Sequence, residues 1–284
     1  MHRRPAALLV LAVVFAGLAI YPATARELKF GFTPVLGEAE MRAEFEPLVT
    51  YLSGAIGQKV SLYIATDYGD LRTQMEAGAV DIGSFSPFAY VDAARGGKIR
   101  IIAQSVLDGA TTYRGIIVAR TDSGLKTLAD LRGKRFAFVD PKSASGYVYP
   151  RAMLIEKDIA PEGYFKETFF AGDHSKVIAA VLEGRADAGA IYEGALGVAK
   201  SRGVPTESLV TLARTDPIPH DAIAVRTGLD GALVKKIQAA LVDLDKSEAG
   251  RRVIANSKKK LTGHVIADDS LFDVVRRTAK IAGM

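Results

Sequence analysis

The sequence predicts an α/β protein made of two Rossmann-like lobes that are joined by two crossover strands, with a ligand cleft between them. Three observations lead to this prediction. Short apolar runs alternate with helical patterns, one block of sequence repeats at an offset of 106 residues, and a similar extended segment stands at each end of the second block.

Apolar runs bounded by turn residues predict strands at Leu28–Phe32, Val60–Ala65, Asp81–Phe85, Ile101–Ser105, Ile116–Arg120, Arg135–Val139, Glu167–Ala171, Asp187–Tyr192, Leu209–Ala213 and Ala222–Val225. Helical patterns fall at Glu40–Ile56, Tyr68–Ala77, Pro87–Gly96, Thr127–Leu131, Tyr149–Lys157, Ser175–Glu183, Gly194–Arg202, Gly231–Leu244, Glu248–Ala255 and Asp268–Ala282. Strands that alternate with helices favour largely parallel sheets.

The internal repeat runs without a gap from Phe30 to Gly83, which correspond to Phe136 and Gly189. Within it, ATDY at 65–68 lies over AGDH at 171–174. Each copy reads as strand, helix, strand, helix, glycine turn and strand. Because the register is kept over about fifty residues, we interpret the copies as two homologous lobes and not as units of a solenoid.

Two similar segments, 114–121 and 222–227, stand just before and just after the second copy. If both are crossover strands, the second lobe is inserted into the first. We therefore predict a first lobe of residues 26–117 and 224–284 and an inserted second lobe of residues 118–223. Two extended connections form a hinge and leave a cleft.

The first 25 residues have the three parts of a secretory signal peptide. Met1–Arg4 is basic, Ala7–Ile20 is apolar, and Ala23–Ala25 is a small-x-small cleavage site. The apolar run is too short to span a bilayer comfortably, which argues against the alternative of an uncleaved anchor. We predict cleavage after Ala25 and a periplasmic protein.

Charge and cysteine content exclude several classes of protein. The net charge of +5 falls to +3 without Arg3 and Arg4, and the basic residues are dispersed, which argues against nucleic-acid or membrane-surface binding. The sequence has no cysteine, and its four histidines are scattered. We therefore expect no metal and no cofactor, and a monomer that relies on its apolar core.

A candidate anion site follows the strand that ends near Val139. The loop Ser143–Gly146 consists of small residues, and a helix starts near Tyr149-Pro150. Free amides at a helix N-terminus bind anions, and the two serines add hydroxyl donors. The alternative is an ordinary N-cap loop. It is not a nucleotide-binding P-loop, because the GxxxxGK[ST] pattern is absent.

Tyr68 and His174 take equivalent places in the repeat, each after an aspartate at the end of a strand. Ligands of open α/β sheets lie beyond the carboxyl ends of strands, so these side chains are expected on opposite walls of one cleft. Ser86 and Glu193 follow the third strand of each copy and are expected there too. Asp221 directly precedes the second connecting segment. For each residue the alternative is a surface or helix-capping role.

Five segments together, DPKSASGY, ATDY, AGDH, VDIGSFSP and PIPHD, resemble the periplasmic phosphate/phosphite/phosphonate-binding protein family. These are type II, transferrin-like solute-binding proteins of ABC importers. The similarity covers essentially the whole chain after residue 25. It implies the periplasmic binding protein-like II fold, capture of a small phosphorus oxyanion by lobe closure, and delivery to an ABC permease in the inner membrane.

The resemblance also implies roles for individual residues. It implies that the Ser143–Gly146 loop, including Ser145 and the backbone amides, binds the phosphorus oxygens. Tyr68 and His174 complete this part of the site. Glu193 and Asp221 would bind a protonated or aminated group of the ligand.

Two positions depart from the family pattern. Ala144, between the two serines, stands where the family often has threonine, so one hydroxyl donor is lost. Phe85 stands where an aromatic residue with a hydroxyl is common, and Ser86 and Tyr90 are nearby substitutes. Both departures leave open which oxyanion binds.

Other functions remain as alternatives. The same fold binds other small ligands, such as a sulfonate or an organic molecule, because a fold does not fix its ligand. The liganded protein could also serve a sensor kinase. A remote alternative is a hydrolase with Ser145, His174 and Asp221 as a triad, although SASGY is not the GxSxG pattern of a nucleophile elbow. We expect no enzyme.

Overall fold

Two mixed β-sheets flanked by helices make up residues 26–284, the part of the chain that the computed structural model describes. The predicted signal peptide lies outside these residues. The strands are β1 Leu28–Phe32, β2 Val60–Ile64, β3 Ile82–Phe85, β4 Ile99–Leu107, β5 Thr112–Arg120, β6 Arg135–Phe138, β7 Glu167–Phe170, β8 Ala188–Tyr192, β9 Leu209–Pro219, β10 Ala222–Arg226 and β11 Leu261–Ile266. The α/β class predicted from the sequence is confirmed, but the expected largely parallel sheets are mixed, because the strands that connect the two sheets add antiparallel to each of them.

The helices are α1 Glu38–Ile56, α2 Asp70–Glu76, α3 Pro87–Ala94, α4 Tyr149–Ile155, α5 Pro161–Tyr164, α6 His174–Leu182, α7 Gly194–Lys200, α8 Gly231–Val242, α9 Glu248–Asn256 and α10 Asp273–Ile281. The pattern at 127–131 forms only a 3₁₀ turn, Ala129–Leu131.

Strand β11 was not predicted. Its pairing shifts register at Gly263, and this bulge breaks the alternation of buried and exposed residues.

The repeat is reproduced strand for strand. The first sheet has the order β11-β4-β10-β3-β1-β2 and the second β7-β6-β8-β5-β9. In the first sheet β1 pairs in parallel with β2 and β3, and β10 adds antiparallel to β3. In the second sheet β6 pairs in parallel with β7 and β8, and β5 adds antiparallel to β8. Four strands of each sheet therefore share one topology.

Equivalent side chains make equivalent contacts in the two copies. Asp81 accepts a hydrogen bond from the amide of Lys29 at 3.0 Å, and Asp187 accepts one from the amide of Arg135 at 2.8 Å. A Cβ added at Gly83 would lie 2.5 Å from the Met75 sulfur. The equivalent Gly189 is equally crowded. These glycines let α2 and α6 pack closely on their strands, which explains why both copies have them.

The chain passes between the sheets at residues 108–111 and 220–221. The two segments expected to cross are each confined to one sheet, since β5 pairs only in the second and β10 only in the first. Each passage is short, because it joins the end of a strand of one sheet directly to the start of a strand of the other. The lobe limits of 117/118 and 223/224 stay a prediction.

Among residues 26–284, no helix is long and apolar enough to cross a bilayer.

Three histidines of the described chain are buried. Their burial makes the stability of the fold depend on pH below neutrality. Desolvation lowers the pKa of His174 to about 3 and those of His220 and His264 to about 4. Above pH 6.5 neither the folded nor the unfolded state protonates them. Below pH 6.5 only the unfolded state gains protons, so stability falls until the folded-state pKa values are reached.

We therefore expect the free energy of unfolding to drop between pH 7 and pH 5, by roughly 1–2 kcal/mol for each histidine. Urea denaturation at both pH values measures it. His264→Asn should lower the pH slope by about a third, because one of three proton-binding groups is removed. A stability that is flat across this range would contradict the assignment of neutral buried imidazoles.

Candidate functional site

A small cavity lies where the carboxyl ends of strands from both sheets meet. Its volume is about 30 Å³, so it is suited to a small molecule. Both sheets and the connecting segments contribute to the wall, which consists of Val35, Tyr68, Ser86, Leu107, Tyr113, Ser143, Ser145, His174, Tyr192, His220, Asp221 and Lys259.

The serine loop forms one wall of this cavity. It follows β6 and becomes a π-helical turn, Ala144–Val148, that continues directly into α4. Ser143 caps the turn, because its Oγ accepts a hydrogen bond from the amide of Gly146 at 3.0 Å. This leaves the proton of the Ser143 hydroxyl available. The first amides of the helical run, those of Ala144 and Ser145, have no carbonyl one turn earlier to bind.

Tyr68 precedes α2 and is almost fully buried. Burial raises the pKa of Tyr68 well above its ordinary value, so the phenol keeps its proton. Its hydroxyl makes no hydrogen bond within the described residues, although the Ser143 side chain lies near enough to act on its pKa. Tyr68 is therefore a protonated donor at the cavity.

His174 begins α6, and its ring is held by a backbone contact. Nδ1 accepts a hydrogen bond from the amide of Tyr192 at 3.2 Å. Burial first, and then the charge of Lys259, lowers the pKa of His174 to about 3. The imidazole is thus neutral, and because Nδ1 is an acceptor, the proton resides on Nε2. His174 is a neutral N–H donor.

Three buried hydroxyls of the cavity wall, on Tyr68, Ser86 and Tyr192, have no hydrogen-bond partner among residues 26–284. Buried polar groups are nearly always paired in folded proteins. The three groups come from both sheets and converge on one small space. The arrangement fits a ligand that presents several acceptor oxygens.

One acid and one cation face each other in the wall. Lys259 Nζ lies 3.4 Å from Asp221 Oδ2, with side-chain exposures of 9% and 19%. The ammonium also lies 5.8 Å from the centre of the Tyr192 ring. Among the lining residues, Asp221 is the one acidic residue and Lys259 the one lysine or arginine.

The structure brings six of the eleven predicted site residues to the cavity: Tyr68, Ser86, Ser143, Ser145, His174 and Asp221. Two others lie apart from it. The Tyr90 hydroxyl donates to Asp269 at 2.8 Å, and Glu193 is exposed, with one oxygen accepting from the amide of Arg114 at 3.1 Å.

The remaining three predicted residues have packing roles next to the cavity. Phe85 is fully buried and lies over Gly83, and Ala144 is buried inside the π-helical turn. A Cβ added at Gly146 would lie 2.4 Å from Cγ2 of Val139. Gly146 is therefore required by the close approach of the loop to its own strand.

Four polar lining residues were not among the predicted site residues: Tyr113, Tyr192, His220 and Lys259. Tyr113 stacks on His220, with ring centres 4.9 Å apart and planes 14° apart. Tyr192 directly precedes Glu193, and His220 directly precedes Asp221. Both following residues were predicted, so the sequence did carry a signal for Tyr192 and His220. Lys259 lies far away in the sequence, among three consecutive lysines, and nothing local distinguishes it.

The arrangement of a hydrolytic triad is not assembled. A triad needs the histidine between the serine and the acid. Here Nδ1 of His174 is engaged by the Tyr192 amide, and Asp221 pairs with Lys259. The cavity provides donors for an anion but no activated nucleophile.

Comparisons with known proteins agree with this geometry. The family model described as the periplasmic substrate-binding protein of phosphonate ABC transporters matches residues 30–272. The phosphate-import protein PhnD of Mycolicibacterium smegmatis is 30% identical over 72% of this chain and 68% of its own. The phosphonates-binding periplasmic protein of Escherichia coli is 27% identical over 82% of this chain and 72% of its own.

Among solved structures, PhnD1 of Prochlorococcus marinus in complex with methylphosphonate superposes with a TM-score of 0.82 at 19% identity. The match covers 89% of this chain and 97% of that one. This likeness shows the periplasmic binding protein type II fold. From the family match, the chain belongs to the periplasmic substrate-binding proteins of phosphonate ABC transporters, which are binding components and not enzymes.

Proposed function

We propose that this protein captures a small phosphorus oxyanion, a phosphonate, phosphite or phosphate, in the cavity between its sheets. The observation that carries the proposal is the set of buried hydroxyls of Tyr68, Ser86 and Tyr192, which have no partner among the described residues. The relatives named above for phosphate and phosphonates support the class of ligand.

The donors surround the places where oxygens of a tetrahedral ligand would lie. Ser143 and Ser145 with the first amides of the helical run form one side, where the helix dipole also favours negative charge. Tyr68 and the Nε2–H of His174 add donors from the other sides. Hydrogen bonds to an ionised ligand are stronger than neutral ones, and exclusion of water strengthens them further.

Asp221 allows the site to distinguish acids of phosphorus from sulfate. Its carboxylate accepts hydrogen bonds and donates none. A phosphonate, phosphite or phosphate monoanion can keep a P–OH proton to offer it, whereas sulfate is fully deprotonated near neutral pH. A ligand without that proton would place a negatively charged oxygen against the carboxylate, and the two would repel each other.

Lobe closure is supported by polar contacts between the two halves of the cleft. Glu40 of α1 accepts a hydrogen bond from the Ser175 hydroxyl at 2.6 Å and pairs with Arg202. Asp92 of α3 pairs with Lys142 at 2.9 Å. These contacts lie on different elements around the cavity, and opening of the cleft would break them.

The wider role follows from the same proposal. The protein would be secreted, with cleavage after Ala25, act as a monomer in the periplasm, and deliver its ligand to an ABC permease in the inner membrane. The signal-like N-terminus supports export.

Calorimetry with phosphite, methylphosphonate, phosphate and sulfate tests the ligand class. We expect micromolar or tighter binding of at least one phosphorus acid, which needs about −8 kcal/mol. Sulfate should bind far more weakly. Binding of none of the phosphorus acids below millimolar concentration, or equal binding of sulfate, would contradict the proposal.

Substitutions in the wall test the site. Ser145→Ala and His174→Ala should each weaken binding by about 1–3 kcal/mol, because each removes a donor to a buried charged ligand. Glu193→Gln is the matched control, since Glu193 lies outside the cavity. The ligand affinity of this variant should stay unchanged. Wild-type affinity in both wall variants would remove these residues from the site.

Lys142→Met tests closure without touching the cavity wall. Loss of the Lys142–Asp92 pair should weaken ligand binding by up to about 1 kcal/mol and raise the dissociation rate, because the closed form loses a partly buried ion pair. Lys246→Met removes the same charge from a pair within one turn and should change neither quantity. Equal effects of the two substitutions would argue against a closing contact.

A further inference from the structure

The Asp221–Lys259 pair separates the ligand cavity from a second, smaller cavity of about 20 Å³. Both residues line both spaces, and the second is also walled by apolar side chains such as Phe32 and Leu48 and by a few polar ones, among them the carboxylate of Glu44. Charges buried in this way are screened little by salt. The pair therefore sets the electrostatics of the cavity wall.

Lys259 is held in place by the fold itself. Glu44 of α1 accepts hydrogen bonds from the amides of Lys258 at 2.9 Å and Lys259 at 3.1 Å, and also from the Ser257 hydroxyl. Glu44 is itself buried. These bonds tie the turn before β11 to α1. The stem of Lys259 then brings its ammonium to Asp221.

We propose that Lys259 is a resident cation that excludes ligands with an amino group, so that the site selects compact phosphorus oxyanions without one. This inference rests on the proposed function. Asp221 alone would attract a ligand ammonium. With Lys259 paired to it, an ammonium that reached Asp221 would lie beside a like charge in a poorly screened place.

Two further observations support this selection. Glu193, the second acid expected to bind an amine, lies outside the cavity and accepts from the Arg114 amide. The cavity is small, about 30 Å³, and a compact phosphorus oxyanion needs less of this space than one that carries an aminoethyl chain. Charge and size therefore act in the same direction.

Calorimetry with methylphosphonate and 2-aminoethylphosphonate tests the inference on the protein as secreted. We expect the wild type to bind methylphosphonate at least about thirtyfold more tightly than the aminated compound. Lys259→Ala should weaken methylphosphonate binding and strengthen binding of the aminated compound, because Asp221 is left unpaired and space is freed. If the alanine variant unfolds, Lys259→Met can replace it in the test, because methionine retains an unbranched apolar side chain but lacks the ammonium group.

Two controls make the result specific. Lys258→Ala removes an adjacent exposed lysine and should leave the preference unchanged. The double variant Lys259→Ala/Asp221→Asn should lose the gain in affinity for the aminated compound. A wild type that binds both compounds equally, or a preference that Lys259→Ala and Lys259→Met leave unchanged, would overturn the inference while the proposed function stands. If neither compound nor any other phosphorus acid binds, the proposed function itself fails.

Discussion

The structure depends on one constraint, the burial of hydrogen-bond donors for which the chain supplies no acceptor. The hydroxyls of Tyr68, Ser86 and Tyr192 are such groups within the described residues. A buried donor left without any acceptor costs about 1–3 kcal/mol, so each of these hydroxyls strongly favours an acceptor in the cavity. A ligand with several oxygens removes that cost when it binds, and part of its affinity comes from this source.

The repeated architecture explains how the donors come together. In each copy of the repeat, polar residues lie shortly after the carboxyl ends of the strands, where ligands of open α/β sheets bind, and Tyr68 and Ser86 of one copy line the same cavity as Ser143 and His174 of the other. Tyr68 and His174 are the clearest pair, since they occupy equivalent positions and both line the cavity. Short passages at 108–111 and 220–221 keep the two sheets close together. Closure then needs only a few contacts at the rim, such as those of Glu40 and Asp92.

Much of the fold was predictable because it depends on local patterns. Apolar runs, glycine turns and the ungapped repeat predicted the strands except β11, where Gly263 breaks the pattern, but they did not predict the antiparallel pairings of each sheet. The site was predictable only in part. Residues at strand ends could be placed from topology, but Lys259 reaches the cavity through contacts of Glu44 with a distant turn. Tyr90 and Glu193 were predicted from proximity along the chain, yet bonds to Asp269 and Arg114 direct them elsewhere.

The most direct measurement is a crystal structure of the protein with methylphosphonate. The buried-donor explanation predicts phosphorus oxygens about 2.6–3.2 Å from the hydroxyls of Tyr68, Ser86 and Tyr192 and from Nε2 of His174. The ligand's methyl group should point away from them. A ligand bound outside this cavity, or one that leaves the three hydroxyls without partners, would contradict the central claim.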